Sequence, residues 1–399
     1  MKPSSAPRTA KAPRVSRVDA PLQAAGDAYV AQLARSALDG ELLGQERALQ
    51  RLGTALGSGH FPHAWIFHGP TGTGKCTTAV RVAALVVDPL SKDAERFACT
   101  PRMDSHSAQL LRAGTHPDVR VIRAELASSS ADRELRDRKQ LNIPVGLLRE
   151  HMIGGLDSGG GRLDAPVYRS SALGAGKVFI IDGADRLETD GQNVLLKTLE
   201  EPPPGTIIIL VTKSLDRLLP TIRSRCQSVG FVPLSAELMG RWLDKNLGEV
   251  TGATRQFVEL FAAGSPGAAV TAVELGLQAW HSELVPMIDR LAKGECPLEM
   301  SQRMDELASD VADAAIKRNE NASKEAANRG AMGVLFAVIA SEVGRRLHAS
   351  THDPRALAYW SRVPGVIAAT ESNLRANVNQ KLALADFVAQ WSLLAGKET

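Results

Sequence analysis

Gly69-Pro70-Thr71-Gly72-Thr73-Gly74-Lys75 stands between a short apolar run and a helical pattern. Strand, Gly-rich turn, helix is the order in which such a turn cradles phosphate. Glycines let backbone N–H groups converge on phosphate oxygens, and the helix behind them adds the positive end of its dipole. Lys75 is the residue that would reach the outer phosphates. The motif therefore demands an α/β fold with a buried parallel sheet. Ala64-Trp65-Ile66-Phe67-His68 reads as the strand leading in, and 77–87 as the helix leading out. Val178-Phe179-Ile180-Ile181-Asp182 and Ile207-Ile208-Ile209-Leu210-Val211-Thr212 are two more continuous apolar runs, the pattern of strands covered on both faces. A helix over 191–199 stops before Pro202-Pro203-Pro204.

The chemistry of this motif is incomplete. The residue after Lys75 should offer a hydroxyl to Mg²⁺, and here it is Cys76. Mg²⁺ wants oxygen, so a thiol is a poor substitute. Thr77 is turned about 100° further round the helix. Cys76 is read as a small replacement rather than a reactive thiol. Asp182, ending its strand, is the expected Mg²⁺-associated carboxylate. The next residue is Gly183, which has no side chain to act as a general base, a role worth roughly 10²–10⁴-fold. Asp185 reads as a solvated or capping residue.

With 399 residues, the chain suggests two to four domains. No run of about 18 apolar residues is present to span a membrane. Cys76, Cys99, Cys226 and Cys296 are too scattered for a disulfide framework and suit a reducing compartment. A net charge of +3 and 4% aromatic residues argue against a strong nucleic-acid field or a row of base-stacking platforms. Lys2, Arg8, Lys11, Arg14 and Arg17 make the start a basic tail, partly disordered, without a secretory h-region. Beyond Val232 the pattern is helical to the end. The expected division is a tail over 1–40, an α/β domain over 41–232, a helical lid over 233–293 and a helical domain over 294–399. Ser158-Gly159-Gly160-Gly161 opens an expected flexible loop reaching Tyr168.

Four segments occur in one order: the phosphate turn, the Asp182 strand, Asn193-Val194-Leu195-Leu196-Lys197-Thr198-Leu199-Glu200-Glu201-Pro202-Pro203, and Leu218-Leu219-Pro220-Thr221-Ile222-Arg223-Ser224-Arg225-Cys226. Together they resemble the clamp-loader branch of the AAA+ proteins, as found in bacterial DNA polymerase III. Ala113-Gly114-Thr115-His116-Pro117-Asp118 and Leu374-Arg375-Ala376-Asn377-Val378-Asn379 resemble it too. The likeness runs over about 42–393.

The resemblance implies an AAA+ P-loop module followed by two all-α domains, a lid and an oligomerising collar. It implies ATP or ADP with Mg²⁺ as ligand, and as partners the gamma/tau and delta subunits of a hetero-pentamer, the sliding clamp and primer–template DNA, in the cytoplasm. It gives Arg225 the role of an arginine finger in a neighbour's site, with Arg223 a surface residue. Lys213 stands at the family's sensor position, usually small and polar, and Gly267 replaces the lid arginine. Cys76, Gly183, Lys213 and Gly267 all lean away from hydrolysis in this chain. The family's zinc knot looks lost, since Cys99, His106 and His116 do not form a four-ligand set. Two other readings are an active gamma/tau-like motor of the same loader and a stand-alone nucleic-acid regulator.

Overall fold

The computed structural model describes residues 20–137, 140–318, 323–376 and 378–395. Residues 1–19 of the basic tail and Asn377 lie outside the described residues.

In chain order the first domain holds α1 (Ala20–Asp39), α2 (Glu46–Gly57), β1 (Ala64–His68), α3 (Lys75–Val87), α4 (His106–Ala113), β2 (Val119–Ile122), β3 (Lys177–Asp182), α5 (Thr189–Glu200), β4 (Thr206–Thr212), α6 (Pro220–Arg223) and β5 (Gln227–Gly230), with shorter turns between. The five strands form one sheet in the order β2-β3-β4-β1-β5, and every pairing is parallel. Alternation explains the unbroken apolar runs. Trp65, Phe67, Val178, Ile180, Ile207 and Ile209 join the core beneath α1–α3. Ala64, Ile66, Phe179, Ile181, Ile208 and Leu210 join the opposite core with Leu195 and Leu199 of α5. Each face is a packed layer, and each large buried side chain contributes roughly 1.5–3 kcal/mol.

Two strands carry weaker signals than the three read from sequence. β2 has only four residues and includes the half-buried Arg120. β5 lies at the sheet edge and buries only Val229. An edge strand needs one apolar face at most, so its sequence looks polar.

α1 occupies much of the segment expected as a tail. Ala34, Ala37 and Leu38 are buried in the sheet's core, and Arg112 of α4 binds Asp39 at 2.6 Å. Small alanines let the helix approach closely, and they also give it the bland composition of a tail. The glycine-rich loop expected at 158–168 contains a small hairpin. Gly155–Leu156 pairs antiparallel with Arg162–Leu163, and Asp157 accepts the Gly161 N–H at 2.6 Å across its tip.

The rest of the chain is helical: α7 (Ala236–Asn246), α8 (Gly252–Ala262), α9 (Pro266–Glu274), α10 (Leu277–Ala292), α11 (Glu299–Arg318), α12 (Lys324–Ala349), α13 (Pro354–Arg375) and α14 (Gln380–Ala395). One continuous core runs through them from Leu234 to Trp391. The Lys293–Pro297 stretch, read as a domain junction, is a turn between packed helices, and α10 packs against α12 and α14. Asn379 accepts the Leu382 N–H at 3.2 Å and so caps the start of α14.

Candidate functional site

β1 delivers the Gly-rich turn to a cavity of about 820 Å³, between the sheet's carboxyl edge and the lid helices. This is where open α/β sheets place ligands. Thr71, Gly72, Thr73, Gly74, Lys75, Cys76 and Thr77 line it, as do Asp182, Gly183, Asp185 and Lys213. Gly69 and Pro70 lie behind that lining and act through their carbonyls. The Lys75 ammonium donates to Gly69 O at 2.7 Å and to Pro70 O. Burial pulls the Lys75 pKa down, opposed by Cys76, Asp182 and Asp185. Thr73 closes the turn by donating to Pro70 O at 2.8 Å. The first turn of α3 lines the cavity, and its N–H groups have no intrahelical acceptors. Leu42, Leu43, Trp242 and Val270 form an apolar wall facing these polar groups. The arrangement can hold a flat heterocycle at one end and phosphates at the other.

The lid is pinned to the phosphate turn. The Ser265 hydroxyl donates to Thr71 O at 2.9 Å, and the Gly267 N–H to Gly72 O at 3.1 Å. Gly72 has φ +77°, and a Cβ on Gly267 would stand 2.7 Å from the Gly72 Cα. The position of the family's lid arginine is thus a backbone contact with no room for a side chain.

The hydrolytic side is altered by neighbours that sequence reasoning missed. Gly183 has φ +78°, a strained conformation for a glutamate, and the Arg186 side chain passes 3.2 Å from where its Cβ would be. Arg186 continues to Glu125 at 2.9 Å and Leu141 O at 2.8 Å. Asp185 accepts from the Thr212 hydroxyl at 3.2 Å and the Lys213 N–H at 3.3 Å, tying β4 to the turn after β3. The Lys213 side chain itself is exposed.

Asp182 accepts the Tyr29 hydroxyl at 2.7 Å, and Cys76 lines the same side of the cavity. Burial, then the Asp182 charge, push both the Tyr29 and Cys76 pKa values well up, so both are neutral. Arg123 lies over the Tyr29 ring, 3.8 Å from its centroid. The donor set does not fit the Mg²⁺ that the resemblance implies: one expected ligand is a thiol, and the carboxylate is engaged by a phenol. No sequence signal marked Tyr29, which lies 153 residues from its partner in what read as a tail.

Arg225 is elsewhere, between α6 and β5, and does not line the cavity. Its guanidinium binds Glu200 at 2.6 Å and Thr221 O at 2.9 Å, and its side chain is 36% exposed. Arg223 is also at the surface, 3.6 Å from Asp216. Cys226 is half-buried, and burial pushes its pKa up to about 12. Cys99 is buried, and His116 accepts the Asp118 N–H at 3.1 Å. Among the described residues no three His, Cys, Asp or Glu are grouped to share a metal ion.

The parallel 2-3-4-1-5 sheet, the phosphate turn after β1, the acid ending β3 and the helical lid over the cavity define a P-loop protein of the AAA+ class. Residues 44–235 match the family described as "DNA polymerase III, delta subunit". The chain is 28% identical over 237 residues to the delta-prime subunit of DNA polymerase III from Pseudomonas aeruginosa, covering 59% of this chain and 63% of that one. It is 30% identical over 195 residues to delta-prime from Bacillus subtilis, covering 48% of each. It is 32% identical over 200 residues to the gamma/tau subunit of Mycobacterium bovis, covering 49% of this chain and 29% of that one. The matches thus span less than two thirds of these relatives' own lengths. Over its first domain the chain is similar to subunits of DNA polymerase III, the delta-prime subunit among them. No helix among the described residues is long and apolar enough to cross a membrane.

Proposed function

We propose that this chain is the structural, stator-like subunit of a clamp loader in DNA replication, lending Arg225 in trans to a neighbouring ATPase subunit. Its partners are gamma/tau and delta subunits in a hetero-pentamer, the sliding clamp, and primer–template DNA reached through the assembly in the cytoplasm. Its own P-loop binds ATP or ADP and turns it over slowly or not at all. The observation that carries this reading is the separation of the two devices: Arg225 is exposed outside the chain's own cavity, while Gly183 puts no side chain at the position after Asp182 where a general base is expected. Arg is always charged and presents a planar fork to phosphate oxygens. Its pairing with Glu200 is a surface ion pair, worth about 0–1 kcal/mol, so a neighbour's phosphate can compete for it.

A gamma/tau-like motor is the second reading, favoured by the intact Lys75 turn and opposed by Gly183 and by the closed contact at Gly267. The deciding experiment is clamp loading on primed DNA by the reconstituted loader. Arg225→Ala should cut loading at least about tenfold while the complex still elutes as one assembly. Undiminished loading would remove Arg225 from the mechanism.

A further inference from the structure

α1 lies outside the residues matched by the family, yet it runs along the cavity. Ser36 and Gly40, at its carboxyl end, line the cavity directly. Arg81 of α3 holds that end by donating to Ala37 O at 2.6 Å and to Gly40 O. Three turns earlier, Tyr29 reaches Asp182 between α3 and the sheet. The helix therefore touches both the cavity and the acid that ends β3.

We propose that Tyr29 and Cys76 close the cation side of this pocket, so that it takes a nucleoside polyphosphate free of divalent metal. This rests on the reading of the cavity as a nucleotide site. A carboxylate beside a phosphate is normally tolerated because a divalent ion lies between them. Here the neutral phenol of Tyr29 takes up an Asp182 oxygen instead, and Cys76 puts a thiol where the metal's hydroxyl ligand would stand. Arg123 over the Tyr29 ring and the burial of the phenol fix the donor in place. Positive charge for the phosphates is left to Lys75, the first turn of α3 and the exposed Lys213. With so few compensating charges, the diphosphate is the better-matched ligand.

The test is calorimetric titration of the full chain with ADP, in millimolar magnesium chloride and in excess EDTA. The wild-type chain and Cys76→Ser should bind ADP equally in the two buffers, within about twofold, because Tyr29 still engages Asp182. Tyr29→Phe/Cys76→Ser keeps the ring, removes the phenol and supplies the missing hydroxyl. It should bind ADP at least about tenfold tighter with magnesium than with EDTA. A wild-type affinity that rises about tenfold with magnesium would overturn the proposal and leave the nucleotide site standing. A double variant indifferent to magnesium would remove Tyr29 as the barrier. No ADP binding in either buffer would overturn the nucleotide reading itself, and this inference with it.

Discussion

Gly267 and Gly72 meet backbone to backbone, and the lid's place over the phosphate turn depends on both lacking a side chain. Gly267→Arg would restore the residue type usual in hydrolytic relatives, yet its Cβ alone would fall 2.7 Å from the Gly72 Cα. The lid would have to lift, at a cost of about 1–3 kcal/mol. Urea unfolding should show that loss, and ATP turnover by the isolated chain should not appear. A variant of unchanged stability would mean the contact yields freely. The glycine at 267 was legible in the sequence as a missing arginine. That it is a contact was not, because it depends on a residue 195 positions away. Tyr29 was invisible for the same reason, whereas the phosphate turn is local and announced itself through seven consecutive residues.

The helices after Leu234 are joined by a buried ionic cluster as well as by their core. Glu342 of α12 is fully buried and accepts from Arg345 and Arg346, each at 2.6 Å, and from His281 of α10 at 3.0 Å. Arg346 also reaches Asp289 of α10 at 2.7 Å. Burial alone would raise the Glu342 pKa. The bonds from Arg345, His281 and Arg346 outweigh it and hold the carboxyl well below 4.5. A depressed carboxylate contributes stability that is complete above its unfolded pKa and is lost as pH falls through the folded one. Glu342→Ala should therefore cost about 3–5 kcal/mol at neutral pH, since it leaves paired cations half-buried without a counter-charge. Its penalty should shrink in acid below the ordinary carboxylate range. Urea midpoints measured at both pH values check this, and a penalty independent of pH would contradict it. The cluster also ties together helices on either side of the turn at 293–297: glycine and proline mark where a chain bends, and only the buried partners show which helices share a core. The same holds for β5, whose polar sequence reflects its place at the sheet edge.

At the scale of the whole molecule, the two chemical devices are separated. The cavity gathers Lys75, Asp182 and the lid, while Arg225 lies on the surface between α6 and the edge strand β5. The fold class was readable from three buried strands and one turn, because a parallel sheet imprints long apolar runs. On the proposed reading the use made of Arg225 depends on a neighbouring subunit, which no single chain encodes. The most direct measurement is steady-state ATP turnover by the reconstituted, DNA-stimulated loader containing wild-type chain, Arg223→Ala or Arg225→Ala. An arginine supplied in trans is worth roughly 10³–10⁵-fold at one site. The account predicts that Arg225→Ala lowers turnover at least about tenfold across the assembly, while Arg223→Ala, whose side chain pairs with Asp216, stays within about twofold of wild type. Equal turnover by all three, or a loss confined to Arg223→Ala, would contradict it.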